Sequence, residues 1–173
     1  MATPLLVVVS GLPGSGKSTF AVLLASRIGA AHLSRDRIIL SKRSTVDRAF
    51  ERLTSRRPSR LIRTANEKIQ LSVVEALGAR QSVVVDVVAD QDIRHQLQQA
   101  AALGDAAVYS IELICSDPEE HLRRLQSRPG SWPRVVKRMG RRYEAAPGAL
   151  VLDSIVPAGH LVDLALDFLR TGD

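Results

Sequence analysis

Apolar residues along the chain follow two spacings in turn: short unbroken runs that suit strands buried on both faces, and runs of helical period with one buried stripe. Leu5 to Ser10 is an unbroken apolar run ending in a glycine-rich turn. Lys17 to Ile28 follows as a helix with Phe20, Leu23, Leu24 and Ile28 on one face, and Gly29 stops it. A short strand is predicted at Ala31 to Leu33. Helical stretches are predicted at Arg35 to Lys42 and Val46 to Leu53, with Arg57-Pro58 as a break. Leu61 to Leu77 carries Ile62, Ala65, Ile69, Val73 and Leu77 on one stripe before Gly78.

Ser82 to Val88 is the second strong strand, interrupted by one acid, Asp86. Asp90 is placed to cap a helix whose inward residues are Ile93, Leu97, Ala100 and Ala101, up to Gly104. Val108 to Cys115 is a third strand. Asp117-Pro118 starts a helix with Leu122 and Leu125 as its apolar stripe, ending near Arg128-Pro129-Gly130. Pro133 to Tyr143 is a basic helix, Ala149 to Leu152 a last short strand and Val156 to Leu169 a closing helix. Strands separated by helices cannot be joined by hairpins, so an α/β fold is expected, with a largely parallel sheet and helices on both faces.

A chain of 173 residues suits one folding unit spanning residues 1–173. Its apolar share of 45 % and charged share of 24 % are those of a globular protein. Aromatics make up only 3 %, which leaves little for a base-stacking platform. No apolar run approaches the roughly 18 to 20 residues that span a bilayer, and the Leu5 to Val9 stretch is too short and lacks the basic flank of a signal peptide. A cytoplasmic protein with no membrane partner is expected. The single cysteine, Cys115, follows the apolar run Ile111 to Ile114 and is expected to be a buried thiol.

The net charge of +6 is unevenly spread. From His121 to Tyr143 there are eight Lys or Arg and no acid, a segment that repels itself unless an anion visits it. Arg35 to Arg63 holds ten Lys or Arg against Asp36, Asp47 and Glu51, which suits either solvated helix faces or an anionic ligand.

Gly11-Leu12-Pro13-Gly14-Ser15-Gly16-Lys17-Ser18-Thr19 matches the G-x-x-x-x-G-K-[ST] pattern and lies between a buried strand and a helix start, where that pattern binds polyphosphate. The glycines allow positive φ and a close approach of backbone amides to phosphate, and the helix N-terminus adds positive potential. Lys17 suits the β- and γ-phosphates, the Ser18 hydroxyl suits Mg²⁺, and Thr19 suits the α-phosphate.

Asp36, in Leu33-Ser-Arg-Asp-Arg-Ile38, stands just past the second strand, where a carboxylate can accept the proton of an incoming hydroxyl; a helix cap or an arginine partner is the alternative. Asp86, inside an apolar strand, suits a strand end facing metal or substrate, or else a buried hydrogen-bonded acid. Arg124 and Arg128, four apart, lie on one helix face and could clamp a transferring phosphate. Arg134, Arg138 and Arg142 repeat at the same interval as a second stripe. The four histidines, His32, His95, His121 and His160, lack metal-ligand spacing and are given no chemistry. Trp132 suits a cover for the nucleotide base or a hinge cap, and Asp153 a border of the base pocket or a turn cap.

The glycine loop, Ser34-Arg35-Asp36, Asp86 followed by a helix containing Arg94, and Arg124-x-x-x-Arg128 together resemble the small P-loop kinases over roughly Leu5 to Glu144. Within that family the likeness runs to the bacteriophage polynucleotide 5′-hydroxyl kinase domain and, more distantly, to chloramphenicol phosphotransferase. The resemblance implies a three-layer fold with a mostly parallel five-stranded sheet. It also implies a helical lid at about 118–145 and an acceptor-binding helical region at about 35–65. It further implies a nucleotide site of Gly11, Pro13, Gly14, Ser15, Gly16, Lys17, Ser18, Thr19, Arg124 and Arg128, with Ser18 on the metal. Asp36 would be the general base, Lys17, Arg124 and Arg128 would act on the transferring phosphate, and Asp86 would hold the acceptor hydroxyl or the metal's water shell. One position departs: where the polynucleotide kinases carry an arginine three residues past the base, this chain has Ile39.

These features point first to an ATP-dependent kinase with ATP and Mg²⁺ as cofactors. It would move the γ-phosphate to a hydroxyl of a small-molecule acceptor such as a sugar, a nucleoside or a natural product, an anionic one suiting the arginines. The second reading is a polynucleotide 5′-hydroxyl kinase acting on RNA or DNA. The third is a nucleotide-dependent regulatory ATPase, which would need a water-positioning residue that no Gln or Glu obviously supplies. Acceptor identity, ATP over GTP and oligomeric state stay open at this level.

Overall fold

The computed structural model describes residues 3–42, 44–45, 47, 59–88, 91–127, 136 and 145–172. Five strands, β1 (Leu5–Ser10), β2 (Ala31–Ser34), β3 (Val83–Asp86), β4 (Ala107–Ile114) and β5 (Leu150–Asp153), form one all-parallel sheet in the order β2-β3-β1-β4-β5. The described helices are α1 (Lys17–Ile28), α2 (Arg35–Lys42), α3 (Ser59–Gly78), α4 (Gln91–Leu103), α5 (Pro118–Gln126) and α6 (Ala158–Thr171). The predicted helix at Val46 to Leu53, apart from Asp47, and the basic helix at Pro133 to Tyr143, apart from Val136, lie outside the described residues, as do the Asp90 cap, Arg128 and Trp132.

β1 has no polar interruption before Ser10 because it is the middle strand and both its faces are covered. Leu6 and Val8 enter a core shared with α3 and α4, while Val7 and Val9 enter a second core shared with α1 and α6. Each such burial is worth about 1.5–3 kcal/mol relative to exposure, so a charge here would unseat one layer. The crossover from β3 through α4 to β4 passes β1, and this change of direction opens a crevice at the carboxyl ends of β1 and β3.

The helix faces follow the expected periods where a helix lies flat on the sheet. α4 buries Ile93, Leu97, Ala100 and Ala101, the four predicted residues. α1 buries Phe20, Ala21, Leu24 and Ala25 and leaves Leu23 largely exposed, because its small alanines face the sheet. α5 buries Leu125 alone, and Leu122 is 44 % exposed, because this helix sits against the glycine loop and not on the sheet. Cys115 is half-buried, not buried: β4 ends one residue earlier and the thiol lies at the strand exit, its Sγ 3.6 Å from the Asp117 carbonyl oxygen. Pro157 takes the cap position of the last helix, so that helix begins at Ala158 and not at Val156.

Candidate active site

The loop between β1 and α1 is held open by three glycines with positive φ: Gly11 at 148°, Gly14 at 87° and Gly16 at 83°. Each is also hemmed in from outside the loop. A Cβ on Gly11 would lie 2.3 Å from the Leu113 carbonyl oxygen, one on Gly14 would lie 2.9 Å from the His121 ring, and one on Gly16 would lie 3.1 Å from Ser154 Cβ. Gly16 is the N-cap of α1, no side chain caps that end, and the first turn carries no acid. The first amides of α1 are therefore left to an anion, in the field of the helix dipole. α5 differs: Asp117 Oδ1 accepts from the amides of Glu119 and Glu120 at 2.9 and 3.1 Å.

Lys17 opens α1, is only 4 % exposed, and its ammonium folds back over the loop to lie 3.5 Å from the Leu12 carbonyl oxygen. Ser18 is partly exposed and Thr19 exposed on the same turn. Pro13 and Ser15 are buried in the loop, and the Ser15 hydroxyl has no partner among the described residues.

α5 and the turn after β5 close over this loop. His121 Nε2 lies 2.8 Å from the Pro13 carbonyl oxygen, and since that oxygen can only accept, Nε2 carries the proton. Arg124 donates from Nη1 to Ser154 Oγ at 2.7 Å, from Nη2 to the Ser154 carbonyl at 2.9 Å and from Nε to Glu120 at 2.7 Å. Three of its five donors are thus engaged, leaving two for a ligand. Glu120 is shared by Arg123 and Arg124, whose hydrogen bonds pull its carboxyl down to about 2. Asp153 resolves as a turn cap: its Oδ1 accepts from the amides of Ser116 and Ile155. Burial pushes its carboxyl up, but those bonds and the Arg124 charge outweigh it and leave the group below the usual carboxylate range.

Asp86 is the last residue of β3, in register with Val9 on one side and Ser34 on the other. It is 2 % exposed; Oδ2 accepts from the Ser34 hydroxyl at 3.3 Å, whereas Oδ1 is buried with no partner among the described residues. Asp36 lies in the first turn of α2, directly after β2, and is partly exposed. Asp36 and Asp86 therefore stand at the carboxyl ends of neighbouring strands, Asp86 on the strand next to the one that feeds the glycine loop.

The residues flanking Asp36 divide sharply. Arg37 is exposed, but Arg35 is buried and donates from Nη2 to the Val88 carbonyl at 2.6 Å. Ile39 is buried against Leu61 and Ala65 of α3, so the position three past Asp36 serves packing and presents nothing to a ligand. His32, on the same face of β2 as Ser34, has its Nε2 buried with no partner among the described residues. Burial lowers its pKa, the Arg37 charge adds to that, and Asp86 opposes both.

His121, given no chemistry on its spacing alone, touches the glycine loop, and three further contributors went unnoticed in the sequence: Ser154, Asn66 and Glu112. Glu112 is buried in β4 and accepts from the Ser10 hydroxyl at 2.7 Å, just ahead of the glycine loop. An acid inside an apolar strand, the signal that exposed Asp86, was present for Glu112 too. Between α3 and α4 lies an open cavity of about 650 Å³, lined by residues including Ile62, Arg63, Asn66, Gln91, His95 and Gln96.

The family model described as AAA domain (AAA_33) matches residues 6–146, from β1 to just before β5. The chain belongs to this family. No curated protein matches it. Among solved structures it is similar to a provisionally assigned kinase of Chloroflexus aurantiacus J-10-fl, with 21 % identity over 100 % of both chains and a TM-score of 0.76. A sugar kinase of Janibacter sp. HTCC2649 shares 21 % identity over 96 % of this chain and 95 % of that one, with a TM-score of 0.73. A gluconokinase of Sinorhizobium meliloti 1021 shares 20 % identity over 99 % and 94 %, with a TM-score of 0.67. The fold is the α/β fold of the small P-loop kinases, with the nucleotide-binding loop in its expected place. No helix among the described residues is long and apolar enough to cross a membrane.

Proposed function

We propose that the protein is an ATP-dependent kinase that transfers the γ-phosphoryl group to a hydroxyl of a small-molecule acceptor, a sugar, nucleoside or natural product. The observation that carries the reading is the pair Asp36 and Asp86 at adjacent strand ends beside an uncapped, glycine-built loop. The structural neighbours named above, two of them sugar and gluconate kinases by name, support the acceptor class.

In this reading the loop amides and Lys17 grip the triphosphate, and Asp36 accepts the proton of the acceptor hydroxyl as its oxygen bonds to the γ-phosphorus. The bond from that phosphorus to the bridging oxygen breaks, and its electron pair leaves with ADP. The transition state is loose and highly charged, so positioning and charge stabilisation do most of the catalysis. The Ser18 hydroxyl and the unpartnered Asp86 Oδ1 are hard oxygen donors that suit Mg²⁺, directly or through its water shell. Bound there, the ion would neutralise charge on the phosphates. Arg124, pinned to Ser154, keeps a flat cation beside Gly16, and Arg128 would act with it on the transferring phosphate, in a lid at about 118–145 that shields the site from water.

A phosphate-transfer screen tests this: wild-type protein, ATP and Mg²⁺ against a library of hydroxyl compounds, with one 5′-hydroxyl oligonucleotide in the same plate. Acceptor-dependent ADP release with a small molecule is the expected result. Transfer to the oligonucleotide alone would move the chain to polynucleotide kinases, and steady ATP hydrolysis indifferent to every compound would make it a regulatory ATPase.

A further inference from the structure

Arg35 is a buried charge to which the proposed chemistry gives no role. It is 8 % exposed, opens α2 and immediately precedes Asp36. Its Nη2 donates to the Val88 carbonyl oxygen at 2.6 Å, in the stretch that follows β3, and its Nη1 lies 3.5 Å from Asn66 Oδ1 on α3. One guanidinium thus joins the turn carrying Asp36, the exit of the strand carrying Asp86, and α3.

The chemistry of that contact fixes an orientation. A guanidinium only donates, so the Asn66 atom turned towards Arg35 must be its oxygen, and the amide nitrogen with its two donors points the other way. Asn66 is 6 % exposed, and what surface it keeps lies on the cavity between α3 and α4. Arg63 stands one turn earlier on the same helix wall, Gln91 and His95 line the α4 side, and Gln96 Oε1 is buried there with no partner among the described residues. Ser59 and the Asp92 carboxylate complete the polar wall, so the cavity offers donors and acceptors together and suits an oxygen-rich ligand that also donates, such as a polyhydroxyl compound.

We infer that Arg35 is a positioning residue for the acceptor: it holds the Asn66 amide with its NH₂ turned into the cavity, as a donor to an oxygen of an oxygen-rich acceptor, and anchors the turn that carries Asp36. The inference rests on the kinase reading above. Replacing Arg35 should therefore disturb acceptor handling and leave ATP handling alone, since Val88 and Asn66, the partners described above, lie outside the glycine loop.

Kinetics of Asn66→Asp, Arg35→Met and Arg35→Lys, with the acceptor found by the screen, test this. Asn66→Asp keeps an oxygen facing Arg35 and replaces the cavity-facing NH₂ with a second oxygen. The acceptor KM should rise about tenfold or more, with KM for ATP within about twofold and Tm at or above wild type. Arg35→Met should raise the acceptor KM and lower kcat while KM for ATP holds, and Arg35→Lys should recover part of the loss. An unchanged acceptor KM in Asn66→Asp would mean that oxygen already faces the cavity and overturns the inference. So would Arg35→Met raising both KM values together, the mark of a merely structural role. If the wild type transfers phosphate to nothing, the kinase reading fails separately. The orientation is then settled by nuclear magnetic resonance: cross-peaks from the Asn66 side-chain amide protons to water support it, and cross-peaks to the Arg35 guanidinium overturn it.

Discussion

Gly11→Ala is the substitution whose cost can be worked out most directly from the geometry. A Cβ there would sit 2.3 Å from the Leu113 carbonyl oxygen and 2.5 Å from Ser15 Oγ, at a φ of 148° that side chains rarely adopt. Carbon and oxygen ordinarily stay about 3.3–3.6 Å apart, so β1 and β4 would have to part by about 1 Å where Ser10 pairs with Glu112. The oxygen belongs to the backbone of a central strand and cannot swing aside. Overpacking of this kind costs about 1–3 kcal/mol and the strained φ about 1–3 kcal/mol more. At about 2–4 °C per kcal/mol for a chain of this size, Tm should drop by roughly 5–20 °C.

Two further glycines separate the causes. Gly29, with φ of 64° and nothing within 4 Å of its Cβ position, should lose only about 1–2 kcal/mol on change to Ala. Gly78 ends α3, has no positive φ and has open space, so Gly78→Ala should gain up to about 1 kcal/mol. Thermal melts and urea midpoints of the three variants, with a titration by a non-hydrolysable ATP analogue, read all of this. Gly11→Ala should melt lowest and bind the analogue at least about tenfold more weakly, while Gly29→Ala and Gly78→Ala bind as wild type. If Gly11→Ala melts within about 2 °C of wild type and binds normally, the steric account of the loop is wrong.

Other expectations follow from single groups. His32 is held neutral to a lower pH than in the unfolded chain, so the unfolded chain takes up the proton first. The stability this group contributes is complete above its ordinary value of 6.5 and falls as pH drops below it. Melts at about pH 7.5 and 5.5 should show that loss, and His32→Asn should shrink it. Arg124→Met removes the bonds to Ser154 and Glu120 and should cost about 1–3 kcal/mol, with weaker analogue binding; unchanged binding would detach Arg124 from the nucleotide. Asp86→Asn should reduce the gain in analogue affinity conferred by Mg²⁺ by about 10–100-fold and leave metal-free binding as it was; an undiminished Mg²⁺ effect would remove Asp86 from the metal's surroundings.

What could be read ahead of the structure divides along physical lines. Strands buried on both faces announce themselves by composition, which is why β1 and β3 stand out, and the glycine loop is legible because each of its positions answers to local backbone geometry. α4 shows its inward face because it lies flat on the sheet. Leu122 and Leu23 misled because a helical stripe says which residues share a side and not what lies opposite. Arg35 and Arg37 look alike in the chain, yet one is buried on the Val88 carbonyl and the other exposed, a difference set by β3 and α3. Ile39 carries the same lesson: its neighbours Leu61 and Ala65 come from a helix some twenty residues on. His121 has no motif at all, and its place on the Pro13 carbonyl arises only when α5 folds over the loop.

The reaction itself offers the most direct test. Phosphorus-31 spectra recorded with ATP, Mg²⁺ and the acceptor should show wild type converting ATP to ADP and one new phosphate ester in equal amounts. Asp36→Asn should be slower by about 10²–10⁴-fold while binding the ATP analogue as tightly as wild type. Ester formation at the wild-type rate by Asp36→Asn, or inorganic phosphate as the sole product of the wild type, would contradict an alcohol deprotonated by Asp36 beside the loop.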